Sequence, residues 1–126
     1  MISRLDHLVL TTANEEASTL FYVSILGMRL QTFGDGRKAF VFGNQKINLH
    51  IQGKEFEPKA LKPMPGSLDL CFITSRPLEE CMNIFRKNNI IITEGPVNRT
   101  GAMGTIRSIY VRDPDQNLIE ISEYLD

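Results

Sequence analysis

An α+β fold built from two βαβββ modules is what this chain predicts, and three observations predict it. Strand-like segments outnumber helical ones in each half. HLVLTT at 7–12 recurs as DLCFIT at 69–74, and INLHI at 47–51 recurs as NLIEI at 117–121. A repeat of this kind reduces the architecture to one supersecondary unit used twice. We expect one domain, 1–126, in which a first module, 1–53, and a second, 67–126, are joined by a linker, 54–66.

Each element follows from local pattern. RLDHLVLT at 4–11 is rich in strand formers, and Thr12 stands three residues before Glu15, a capping-box spacing that opens a helix. Ala17, Leu20, Phe21 and Ser24 mark its apolar face, and Gly27 ends it. Three short strands, MRLQTF, RKAFVFG and KINLHIQ, are punctuated by GDG at 34–36 and GNQ at 43–45. The charged, proline-bearing stretch after Gly53 reads as the linker. SLDLCFIT is the next strand, and Ser75, Pro77, Glu79 and Glu80 open a second helix with Leu78, Cys81, Met82 and Phe85 at helical spacing. Asn88 and Asn89 close it; IIITEGPV, IRSIYVRD and NLIEISEY follow as strands, the last two joined by the turn DPDQ at 113–116.

Composition removes several function classes. Fourteen Lys and Arg against fifteen Asp and Glu give a net charge of -1 with no basic block. Neither nucleic acid nor an anionic membrane surface is therefore an expected partner. No apolar run approaches the roughly 18–20 residues that span a bilayer, and the N-terminus lacks the charged, apolar, small-residue order of a signal peptide. The expected location is cytoplasmic. Cys71 and Cys81 have no CxxC spacing and are expected to be free thiols.

The candidate chemistry comes from strand parity. Successive residues of a strand point to opposite faces. If Ile47, Leu49 and Ile51 pack beneath the first helix, Asn48 and His50 face the other way, and Glu120 does the same between Ile119 and Ile121. In the first strand of each module the same parity presents His7 and Asp69. The ungapped repeat matches His7 with Asp69 and His50 with Glu120, so four potential ligands occupy equivalent places on the concave side of a curled mixed sheet. An unpaired buried carboxylate is costly, and a divalent ion held by two imidazoles and two carboxylates removes that cost. Such a set suits Ni, Zn, Mn, Co or Fe(II). Without Asp69, the set His7, His50 and Glu120 forms a facial triad with open positions.

Taken together, the duplicated βαβββ order, DHLVL, INLH and the run GAMGTIRSIYVRDPDQNLIEIS resemble the vicinal oxygen chelate superfamily over essentially the whole chain. That superfamily holds glyoxalase I, extradiol dioxygenases and the fosfomycin- and bleomycin-resistance proteins. The 101–122 run looks most like its glyoxalase-domain-containing, biphenyl-diol-dioxygenase-related branch. The resemblance implies a metal-binding cup with metal ligands His7, His50, Asp69 and Glu120, although relatives with a full set carry His where this chain has Asp69. Gln116 stands where relatives have a turn glycine. Tyr110 matches an active-site tyrosine of extradiol dioxygenases, Ser108 shares its face, and Arg99 and Arg107 lie near enough in sequence to hold a substrate carboxylate or phosphonate. The implied function is a divalent-metal-dependent, glyoxalase-like lyase or isomerase that chelates vicinal oxygens of a small substrate, a thiol adduct being one option, with Glu120 as general base. The alternatives are an Fe(II) extradiol-type dioxygenase assisted by Tyr110 and a metal-free drug-binding protein. A homodimer is also implied.

Overall fold

The computed structural model describes residues 1–125. They form two compact units, Met1–Ser67 and the chain from Leu68 onward, each with one four-stranded mixed sheet and helix on one face. Among these residues no helix is long and apolar enough to cross a membrane.

In the first unit, β1 (His7–Thr12) leads into α1 (Glu15–Thr19), which continues through a π-helical turn, Leu20–Ile25. β2 (Arg29–Phe33), β3 (Arg37–Phe42) and β4 (Gln45–Ile51) follow. The sheet order is β1-β4-β3-β2, with β1 parallel to β4 and the other pairs antiparallel. Asn14, not Thr12, caps α1: its side-chain oxygen accepts from the Ala17 N–H at 3.0 Å. Glu15 and Glu16 then sit where the helix dipole favours negative charge. Thr12 ends β1 and shapes the approach, its hydroxyl accepting from the Asn14 N–H at 3.1 Å. The apolar stripe also departs from helical spacing. The Leu26 N–H reaches back five residues to the Phe21 carbonyl, and that wider turn buries Phe21 and Tyr22 while leaving Leu20 exposed. Tyr22 stacks on Phe40 at 5.2 Å between ring centres. With Leu10, Ile47 and Leu49 they form the core beneath the helix, each such side chain contributing about 1.5–3 kcal/mol of burial.

The second unit repeats the plan: β5 (Asp69–Ile73), α2 (Leu78–Lys87), β6 (Glu94–Thr100), β7 (Thr105–Arg112) and β8 (Leu118–Tyr124). Its order, β5-β8-β7-β6, mirrors the first, with β5 parallel to β8. Leu78 and Phe85 of α2 are buried, as are Ile109, Val111, Ile119 and Ile121 of the sheet. β6 begins at Glu94 rather than within Ile90–Thr93, and its pairing with β7 is irregular between Glu94 and Val97. A buried Asn117 staples the turn before β8. It donates to Asp113 Oδ2 at 2.8 Å, and its side-chain oxygen accepts the Leu68 N–H at 2.8 Å, tying the turn to the residue before β5.

Candidate functional site

In the second unit, pairing rather than sequence distance gathers the polar side chains. β7–β8 register sets Tyr110 opposite Glu120, and β5–β8 register sets Cys71 on the other side of Glu120. Glu94 pairs with Tyr110 from β6. A row Glu94–Tyr110–Glu120–Cys71 thus crosses the face away from α2. One step along, Ser108 and Ser122 pair, with hydroxyls 2.6 Å apart. Ser122 also donates to Glu120 Oε2 at 3.4 Å and lies 3.3 Å from the Cys71 sulfur. Asp69 is paired with Leu118, two residues before Glu120, so the two carboxylates are diagonal neighbours on one face.

Electrostatics assign states to these groups. Desolvation of the sulfur, opposed by the Ser122 hydrogen bond and reinforced by the charge of Glu120, pushes the Cys71 thiol up even though the residue as a whole is exposed. A protonated thiol is a poor nucleophile. Desolvation likewise raises Tyr110, the Arg99 hydrogen bond opposing it, so the phenol keeps its proton at neutral pH. Arg99 Nε donates to the Tyr110 hydroxyl oxygen at 3.0 Å, and Arg99 Nη2 donates to Glu94 at 2.6 Å. Arg107 has the opposite parity. It points to the α2 side, where it pairs with Glu79 at 2.8 Å and Glu123 at 3.2 Å. Ser108 is fully buried.

In the first unit, His7 is exposed on β1, and its Nδ1 lies 2.8 Å from Asp6 Oδ2. That hydrogen bond holds the Asp6 carboxyl below its ordinary range. A carboxylate only accepts, so Nδ1 is the donor and Nε2 is the ring nitrogen turned away from Asp6, the orientation carboxylate-backed metal histidines adopt. His50 is different: only 2% of it is exposed, and neither ring nitrogen has a hydrogen-bond partner. Asn48, two residues earlier on the same face, is 6% exposed with Oδ1 unpartnered. Burial, then the charge of Arg37, depresses the His50 pKa, so its imidazole is neutral. Its ring meets Phe56 edge-on at 5.7 Å.

Register separates the two histidines. His7 pairs with Lys46, and His50 pairs with Thr11, four residues further along β1; at about 3.3 Å per residue that is about 13 Å. The same registers revise the repeat. His7 pairs with Lys46 as Asp69 pairs with Leu118, so the counterpart of Glu120, two residues beyond Leu118, is Asn48 and not His50. The ungapped match of INLHI with NLIEI is out by two residues, a slip that preserves the face and so escapes a parity argument. Among the described residues, no three His, Cys, Asp or Glu side chains converge. Arg37 and Phe56 gave no signal in the sequence, since their neighbours are brought by folding; Asp6 stands beside His7 in DHLVL, and that adjacency was the signal that could have found it.

The family model described as the Glyoxalase/Bleomycin resistance protein/Dioxygenase superfamily matches residues 4–121. Virulence protein STM3117 of Salmonella typhimurium is 56% identical over 99% of this chain and 87% of its own length. Its crystal structure superposes with a TM-score of 0.96, covering 99% of both chains. Glyoxalase domain-containing protein RDO1 of Mycosarcoma maydis is 54% identical over 99% of this chain and 70% of its own length. Lactoylglutathione lyase from Agrobacterium tumefaciens, 21% identical, shares the fold with a TM-score of 0.74 over 98% of this chain and 95% of that one.

Proposed function

We propose a function from one premise: the chain belongs to the Glyoxalase/Bleomycin resistance protein/Dioxygenase superfamily. The proposal is a divalent-metal-dependent enzyme of lyase or isomerase type, acting on a small substrate with adjacent oxygens, such as a thiol adduct of a dicarbonyl. The candidate donors put to the test below are His7, Asp69 and Glu120, with His50 left outside the set. The observation that carries this reading is the His7–Asp6 hydrogen bond, which orients an exposed imidazole with its Nε2 turned away from the carboxylate, as carboxylate-backed metal histidines are oriented. One nitrogen and two carboxylates suit Ni, Zn, Mn, Co or Fe(II). When bound, such an ion supplies Lewis-acid polarisation of the two substrate oxygens.

The chain's own residues supply the rest. Glu120 is the general base for a proton next to a carbonyl. Tyr110, kept protonated and aligned opposite Glu120, donates to negative charge that develops on the substrate. Arg99 acts through Tyr110, fixing its hydroxyl. The lyase reading takes its reaction class from the name of the Agrobacterium neighbour. The working location is the cytoplasm and the working assembly a homodimer.

Elemental analysis of protein purified without added metal tests the donor set. Wild type and His50→Ala are expected to carry about one equivalent of a divalent metal, and His7→Ala and Glu120→Ala to lose at least tenfold in occupancy, the loss that removal of one ligand brings. Metal retained in His7→Ala sinks the set as drawn. Turnover of a hemithioacetal, with none of a catechol, is the result expected of a lyase; ring cleavage of a catechol under oxygen would replace it with the dioxygenase reading.

A further inference from the structure

The side of the first unit away from α1 holds polar groups that the proposed ion does not use. β3–β4 register pairs Lys38 with Leu49 and Ala39 with Asn48, which sets Arg37 opposite His50 one step further; β2–β3 register sets Phe33 opposite Arg37. The Arg37 guanidinium carbon lies 5.1 Å from the Phe33 ring centre and 4.8 Å from that of Phe56. Lys46 Nζ lies 4.0 Å from the Phe33 centre. Neither cation has a carboxylate within ion-pair distance among the described residues, although the charge of Lys46 helps hold Asp6 down, and the other nearby acids are engaged. Glu55 accepts the Gly53 N–H at 2.7 Å, and Lys59 pairs with Glu57 at 2.9 Å. Arg37 and Lys46 therefore lie on aromatic faces beside His50 and Asn48, both more than nine-tenths buried, with Asn48 Oδ1 and both His50 ring nitrogens lacking partners. Buried polar atoms are nearly always hydrogen-bonded, and a set left open points to a missing ligand.

We propose that Arg37, His50 and Asn48, flanked by Phe33, Phe56 and Lys46, form a binding site for a small-molecule oxyanion with a neighbouring hydroxyl. A guanidinium stacked on rings keeps its N–H edge free and grips a carboxylate or phosphonate through two parallel hydrogen bonds. A neutral imidazole both donates and accepts, and the Asn48 oxygen accepts, so the two take the hydroxyl. Lys46 adds a second positive charge. None of these residues belongs to the donor set proposed above, and the site stands or falls independently of the ion.

The test is a titration of ¹⁵N-labelled protein, in EDTA so that chelation contributes nothing, with lactate, with methylphosphonate and with uncharged lactamide. Saturable shifts centred on Arg37, Asn48 and His50 are expected with at least one of the two anions and not with lactamide. Whichever anion binds identifies the oxyanion. Arg37→Ala is expected to weaken binding at least tenfold, and Arg37→Lys nearly as much, because an ammonium lacks the fork; the same spectra establish that each variant is folded. Absence of shifts with both anions overturns the proposal, as does binding that Arg37→Ala leaves unchanged or that lactamide reproduces.

Discussion

Two residues carry local costs that an experiment can read. Gln116 occupies the left-handed region at φ 72°, where a side chain crowds the following carbonyl at a cost of about 1 kcal/mol. Its backbone is nonetheless held there, the N–H donating to the Asp113 carbonyl at 3.0 Å and the carbonyl accepting from Arg112 at 3.3 Å. Gln116→Gly keeps both bonds and removes the strain, so we expect a gain of about 1 kcal/mol and a melting temperature higher by about 3–5 °C, read by calorimetry. His50 makes stability depend on pH. Its folded pKa lies below the ordinary 6.5, so the unfolded chain takes up the proton first. The stability it contributes is complete above pH 6.5 and erodes as pH falls toward the folded pKa. Urea midpoints between pH 7.5 and 5.5 are expected to drop more steeply in wild type than in His50→Leu; equal slopes would show that the buried imidazole is not what senses the proton. His50 was legible as an inward-facing residue because parity needs only the order of apolar and polar letters. Its separation from His7 was not, because the register between β1 and β4 is written in neither strand alone.

At the scale of elements, the same distinction separates what sequence reveals from what pairing adds. Both helices, the repeat and the face that presents Asp69 and Glu120 follow from periodicity, and the succession of elements along the chain follows from using one unit twice; the order of strands within each sheet does not. The π-helical turn after α1 does not, since a single extra residue per turn leaves no mark in composition while moving Leu20 outward and Tyr22 inward. β6 shows a second such case. IIIT reads as its most strand-like portion, yet the strand begins at Glu94, where the pairing with β7 is irregular. Gly95 is what permits that irregularity: its φ is 102°, and a Cβ placed on it would collide with the Ser108 carbonyl oxygen and crowd Ile109. Both obstacles are backbone, which cannot swing aside. Gly95→Ala should therefore cost about 3 kcal/mol or more, visible as a lowered urea midpoint. Because Ser108 pairs with Ser122, it should also disturb the amide signals of Ser122 and Glu120. A cost under 0.5 kcal/mol would mean that β6 relaxes and does not buttress the Tyr110–Glu120 row.

At the scale of the molecule, both first strands are edges. Among the described residues β1 and β5 each pair with one strand of their own sheet, β4 and β8 respectively, which makes each the end strand of that sheet. Each also exposes a large apolar residue on the face that carries the candidate donors, Val9 at 41% and Ile73 at 52%. Proteins that persist as monomers blunt such edges with lysine, proline or a covering segment, and neither HLVLTT nor DLCFIT contains a lysine or a proline. Closed twofold pairing of identical chains is the commonest way to cover such an edge. We therefore expect light scattering coupled to gel filtration to give the mass of a dimer for the wild type. Val9→Lys and Ile73→Lys each place a charge on an exposed edge without touching the core, so the fold should survive while the dimer weakens. A shift toward the monomer mass in either variant, with unchanged far-ultraviolet dichroism, is the expected outcome. Wild type running as a monomer, or both variants remaining fully dimeric, would show that these edges are not where copies of the chain meet.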